Sequence, residues 1–146
     1  MEKFTLELLF QIIGIGSASG LICKDNSLLI IGDNSGFLYE YQMDSKNLKR
    51  HPLLENPIEN TLKKDKADFE AITQFGDSIY IFGSGSTEKR NKMIQVNATD
   101  KKIIATNDLS DLYAVMQNFR DIKPEDFNLE GAIYNGESWF LLNHFR

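Results

Sequence analysis

One stretch of sequence occurs three times, and that constrains the fold more than any other feature of the chain. The first copy reads Ser19-Gly20-Leu21-Ile22, then Asp25-Asn26-Ser27, then Leu28-Leu29-Ile30-Ile31-Gly32. The second reads Glu70-Ala71-Ile72-Thr73, then Gly76-Asp77-Ser78, then Ile79-Tyr80-Ile81-Phe82-Gly83. The third reads Glu130-Gly131-Ala132-Ile133, then Gly136-Glu137-Ser138, then Trp139-Phe140-Leu141-Leu142-Asn143. From Ser19 to Glu70 is a step of 51, and from Glu70 to Glu130 a step of 60; each step holds without a gap across its segment. Every copy has the form of a β-hairpin: a short strand, a polar turn closed by serine, and an apolar run that ends in Gly or Asn. An unbroken run of four apolar residues marks a strand covered on both faces.

Further strand signals follow the hairpins. After the turn Gly32-Asp33-Asn34-Ser35-Gly36 comes Phe37-Leu38-Tyr39-Glu40-Tyr41. After residues 83–92 come Met93-Ile94-Gln95-Val96 and then Ile103-Ile104-Ala105. A fourth strand in the first unit spans residues 48–53 and must be an outer one, because Pro52 has no N–H for a ladder. Four strands recurring every 50 to 60 residues is the pattern of a β-propeller blade, with inner strands squeezed between neighbouring blades. The expected fold is all-β: one partial β-propeller domain over residues 1–146, of about two and a half four-stranded blades near 17–53, 68–106 and 128–146. One short helix interrupts it, capped by Asp108 or Ser110, with Leu109, Leu112, Tyr113, Met116 and Phe119 as its packing stripe. Residues 44–66 read as the polar connection between the first two blades.

Residues 4–13 are expected to form a buried N-terminal strand. A signal peptide fits poorly there: Glu2 and Glu7 outweigh Lys3, and cleavage after Ser17-Ala18-Ser19 would cut into the first repeat. The single cysteine, Cys23, excludes an intrachain disulfide and favours a reducing cytoplasm. Sixteen Lys and Arg against 21 Asp and Glu give a net charge of −5, which argues against a nucleic-acid partner. No apolar stretch approaches the roughly 18 residues of a membrane span.

Several segments together resemble an uncharacterised family of bacterial β-propeller proteins: Ser17-Ala18-Ser19-Gly20-Leu21, Lys66-Ala67-Asp68-Phe69-Glu70-Ala71-Ile72, Gly83-Ser84-Gly85-Ser86 with Arg90, and Asn128-Leu129-Glu130-Gly131-Ala132. The chain corresponds to the front half of such a protein, and truncation of a longer design is the expectation. The family is distantly similar to phytase-like and esterase-like propellers. In those, an acidic-Leu-Glu-Gly-Ile motif places carboxylates near the central channel, often around calcium. Asp68-Phe69-Glu70-Ala71 and Asn128-Leu129-Glu130-Gly131 match it loosely. Ala71 replaces a Gly, Asn128 replaces the acid, and Ser19 stands where the first unit would carry glutamate.

The first strand of each blade lines the channel, so Glu70 and Glu130 should meet there, with Asp68 on the same strand face as Glu70. Gathered carboxylates need a cation or an arginine. Calcium on Glu70 and Glu130 is one answer; backbone donors, or Arg90, Arg120 or Arg146, are another. Arg90 is expected to reach Glu70 from the loop over residues 83–90, whose amides and hydroxyls can also cradle an anion. His144 is expected at the channel mouth. The expected binding set is thus Asp68, Glu70, Arg90, Glu130 and His144. The expected function is a ligand- or partner-binding scaffold that self-associates through unpaired blade edges. The alternative is a calcium-dependent phosphoester hydrolase of phytase-like type.

Overall fold

The computed structural model describes residues 4–9 and 11–144. Phe10, within the expected N-terminal strand, lies outside the described residues, as do Phe145 and Arg146 at the end of the third repeat. The chain is predominantly β, with three antiparallel sheets of four, four and two strands. The first sheet runs β1 (Ala18–Lys24), β2 (Ser27–Gly32), β3 (Phe37–Gln42), β4 (Asn47–Pro52). The second runs β5 (Phe69–Phe75), β6 (Ser78–Gly83), β7 (Lys92–Asn97), β8 (Ile103–Asp108). The third pairs β9 (Leu129–Tyr134) with β10 (Trp139–Asn143). One helix, α1 (Ser110–Phe119), links the second sheet to the third.

Strand alternation sends neighbouring residues to opposite faces, and the apolar runs use both. Leu29, Ile31 and Leu38 of the first sheet pack on Ile79, Ile81, Ile94 and Val96 of the second. Ala71 and Phe82, on the other face of the second sheet, pack on Leu129 and Ala132 of the third, together with Tyr113 of α1 and Phe127. The second sheet therefore lies between the other two. The first strands stand side by side, β1 against β5 and β5 against β9.

The serine that closes each turn has a cross-strand partner in the two four-stranded sheets. Gln42 Nε2 donates to Ser27 Oγ at 3.3 Å, and Gln95 Nε2 donates to Ser78 Oγ at 2.9 Å. Pro52 lies on the outermost strand of its sheet, where its missing N–H breaks no ladder. Asp108 Oδ1 accepts the Ser110 N–H at 2.8 Å and its hydroxyl at 2.6 Å, holding the start of α1.

Three expectations fail. Residues 4–9 and 11–13 form no strand: Phe4, Leu6, Leu8, Leu9 and Ile13 lie in solvent, because no described sheet edge stands beside them, and only Ile12 is half-buried against the first sheet. The third apolar run is not covered on both faces: Trp139, Phe140 and Leu142 are exposed, since the third sheet has one neighbouring sheet and two strands. Leu112 and Phe119 of the α1 stripe are exposed; Tyr113 is buried and donates its hydroxyl to Gly83 O at 2.9 Å.

Candidate functional site

The three hairpins share a defect at the same repeat position. Ala18 pairs with Gly32 and Gly20 with Ile31, which leaves Ser19 unpaired between them. Phe69 pairs with Gly83 and Ala71 with Phe82, leaving Glu70. Leu129 pairs with Asn143 and Gly131 with Leu142, leaving Glu130. Each is a β-bulge, which twists the strand and re-aims one side chain. A second shared feature fixes the same end of each hairpin. The N–H of Asp33 donates to Ser17 O at 3.0 Å, that of Ser84 to Asp68 O at 2.9 Å, and that of His144 to Asn128 O at 2.9 Å. Sheets join here too: Ser19 Oγ donates to Phe69 O at 2.5 Å, and the Leu129 N–H to Ser84 O at 2.8 Å.

At this common end the charges gather. Asp68 is 5% exposed and sits in the left-handed region at φ 55°, a conformation Asp tolerates better than most residues. Its carboxylate takes an ion pair from Lys66 Nζ at 2.5 Å, another from Arg90 Nη1 at 2.9 Å, and a hydrogen bond from Ser84 Oγ at 2.6 Å. Lys66 also donates to Asp33 Oδ2 at 2.6 Å, which ties the second repeat to the first. Burial works against the Lys66 charge, but Asp33 and Asp68 outweigh it and hold the ammonium above its ordinary pKa. Asp33 Oδ1 is buried and has no hydrogen-bond partner among the described residues.

Glu70 is the exception to this pairing. It makes no hydrogen bond or ion pair among the described residues. Burial pushes its carboxyl up to about 7, and the charges of Asp68, Glu130 and Asp33 add to the effect; Lys66 opposes it. Glu130 takes a hydrogen bond from Asn128 Nδ2 at 2.5 Å. The charge of the equivalent bulge residue in the neighbouring sheet thus reaches Glu70.

Asp68, Glu70 and Glu130 come to one end of the sheets, with two differences from expectation. Arg90 is turned onto Asp68, and its guanidinium is further occupied by Ser86 Oγ at 2.7 Å and Lys63 O at 2.8 Å. Glu130 is not in the tightest carboxylate group, which is Asp33, Asp68 and Glu70, with one oxygen from each within 4.8 Å of the others. Lys66 and Asp33 belong to the site but not to the expected binding set. Asp33 lies one repeat step before Ser84 and two before His144, so the offsets alone could have found it. His144 is exposed beside Asn128. Arg120 lies over its own neighbour Phe119, and Arg146 lies outside the described residues.

In the loop over residues 83–90 the N–H groups of Ser84, Gly85 and Ser86 bond to Asp68 O, Arg90 O and Ser84 Oγ. A Cβ on Gly83 would lie 2.3 Å from Arg90 O, so the loop folds back against the strand end as a clamp.

The profile of a family of unknown function, DUF6929, matches residues 14–144. The chain belongs to that family. No curated protein matches the sequence. The DUF6929 match takes in all three sheets and every residue of the acidic end, while residues 4–9 lie outside it. Among the described residues of this DUF6929 chain, no helix is long and apolar enough to cross a membrane.

Proposed function

We propose that the three sheets are neighbouring blades of a β-propeller, and that their acidic inner end is the binding mouth of a scaffold for small cationic ligands. The side-by-side order of β1, β5 and β9 and the matching bulges support the propeller reading. The binding reading rests on Glu70, a half-buried carboxylate aimed by a bulge and left without a partner. Such a group destabilises the empty protein, which is the usual mark of a site kept for a ligand. Four carboxylates (Asp33, Asp68, Glu70, Glu130) face two cations (Lys66, Arg90) among the described residues, so the remaining charge favours a cation. An amine suits the vacancy, because it supplies both the charge and the hydrogen bonds that Glu70 and Asp33 Oδ1 lack.

The carboxylate trio is the one observation that favours the second reading, a calcium-dependent phosphoester hydrolase. Against it, Lys66 Nζ bridges Asp33 and Asp68 where a metal would bridge them, and Arg90 is committed to Asp68 rather than open to a phosphate.

Thermal unfolding with 1,4-diaminobutane and, separately, with calcium chloride tests both. A ligand at about 100 times its Kd adds about 2.7 kcal/mol to folding stability. The binding reading predicts that the diamine raises the Tm of the natural chain and not that of Glu70→Gln, while calcium leaves both unchanged. A rise with calcium alone, lost in Glu70→Gln, would instead support the hydrolase. No rise with either probe would refute both.

A further inference from the structure

We infer that residues 4–9 of a second copy of this chain add to the open edge of β10 and complete the third sheet, in a reciprocal dimer. Three observations carry this.

The first is an empty strand position with a shaped bed. In the first two sheets a third strand follows the apolar one, β3 beside β2 and β7 beside β6. In β7, Ile94 and Val96 are buried against the first sheet. Beside β10 the corresponding place is an apolar groove of about 440 Å³, lined by Phe82, Met93, Leu112, Met116, Trp139 and Leu141. The β10 edge that borders it pairs with nothing among the described residues. An open apolar edge of this kind is a template for another strand.

The second is an unpaired segment of matching pattern. Phe4, Leu6 and Leu8 are 95%, 98% and 88% exposed. They alternate with Thr5 and Glu7, so an extended chain puts all three on one face. Leu6-Glu7-Leu8 repeats the apolar-polar-apolar core of the other third strands, Tyr39-Glu40-Tyr41 in β3 and Ile94-Gln95-Val96 in β7. Ile81 pairs with Ile94, and one repeat step carries Ile81 to Leu141. The expected register therefore sets Leu6 opposite Leu141, with Glu7 opposite Phe140. Leu6 and Leu8 then face the groove, as Ile94 and Val96 face the first sheet.

The third selects a second copy over the same chain. Ile12 and Ile15 pack on Leu28, Ile30, Tyr39 and Tyr41. Those residues alternate with Leu29, Ile31 and Leu38, which pack on the second sheet, so they lie on the face turned away from it. Residues 4–9 thus leave from the far side of the first sheet, with the second sheet between them and β10. Each chain carries both the donor segment, residues 4–9, and the acceptor edge of β10, so two copies satisfy each other and close.

Sedimentation or light scattering of the full chain should give twice the 16.7 kDa of one copy. The double variant Leu6→Asp, Leu8→Asp should be monomeric and still unfold cooperatively, since both side chains are solvent-exposed in the single copy. In a Cys23→Ser background, Glu7→Cys with Phe140→Cys should form an interchain disulfide under mild oxidation, and Glu7→Cys with Trp139→Cys should not. A natural chain that is monomeric at tens of micromolar, a dimer that survives the double aspartate variant, or equal crosslinking in both registers would each overturn the inference.

Discussion

At the scale of single residues, Glu70 and Asp68 show what burial does to a carboxylate with and without partners. Asp68 is nearly inaccessible yet surrounded by Lys66, Arg90 and Ser84, so its charge is compensated. Burial, and then the charges of Asp68, Glu130 and Asp33, raise the Glu70 pKa from 4.5 to about 7 against the opposing charge of Lys66. Between those values the folded chain keeps a proton that the unfolded chain has released, so stability falls as the pH rises through that window and is level on either side. After allowing for solvent screening, the loss is about 1–2 kcal/mol. Glu70→Gln should therefore unfold at higher urea than the natural chain at pH 8 by that amount, and at nearly the same urea at pH 4. Equal stability at both pH values would show that Glu70 ionises normally. The glutamates were legible because the repeat offsets align them. Asp33 is legible by the same offsets, through Ser84 and His144; Lys66 is not, because a lysine in a polar connection looks the same wherever it points.

At the scale of elements, the hairpins were legible down to their closing serines, since local turn chemistry and period-two patterning dictate them. The bulges were not, because a bulge shows only when two strands are paired and the register counted. Residues 4–13 misled for a related reason: their composition suits a strand, but a strand exists only where an edge receives it. The clamp over residues 83–90 depends on backbone room at Gly85, which has φ 79° and would place a Cβ 2.6 Å from both Tyr113 and Phe127. Gly85→Ala combines strain at that φ with overpacking in the core between the second and third sheets. It should cost about 2–4 kcal/mol in urea denaturation, with weaker protection of α1 amides in hydrogen exchange. A loss under about 0.5 kcal/mol, the ordinary range of surface substitutions, would mean that the loop does not pack as described.

At the scale of the whole molecule, the arrangement follows from which faces the repeats bury. Because the apolar strands of the first two units are covered on both sides, the sheets must stack face to face, and their first strands then stand in a row. That row brings bulge residues from separate sheets to one end, which no single hairpin could do. Carboxyl-resolved ¹³C NMR titration of the glutamates tests whether the bulge residues converge. Glu70 should titrate near pH 7 and move downward when Glu130→Gln removes the charge contributed by the third sheet. A Glu70 midpoint near its ordinary 4.5, or one near 7 that ignores Glu130→Gln, would contradict it.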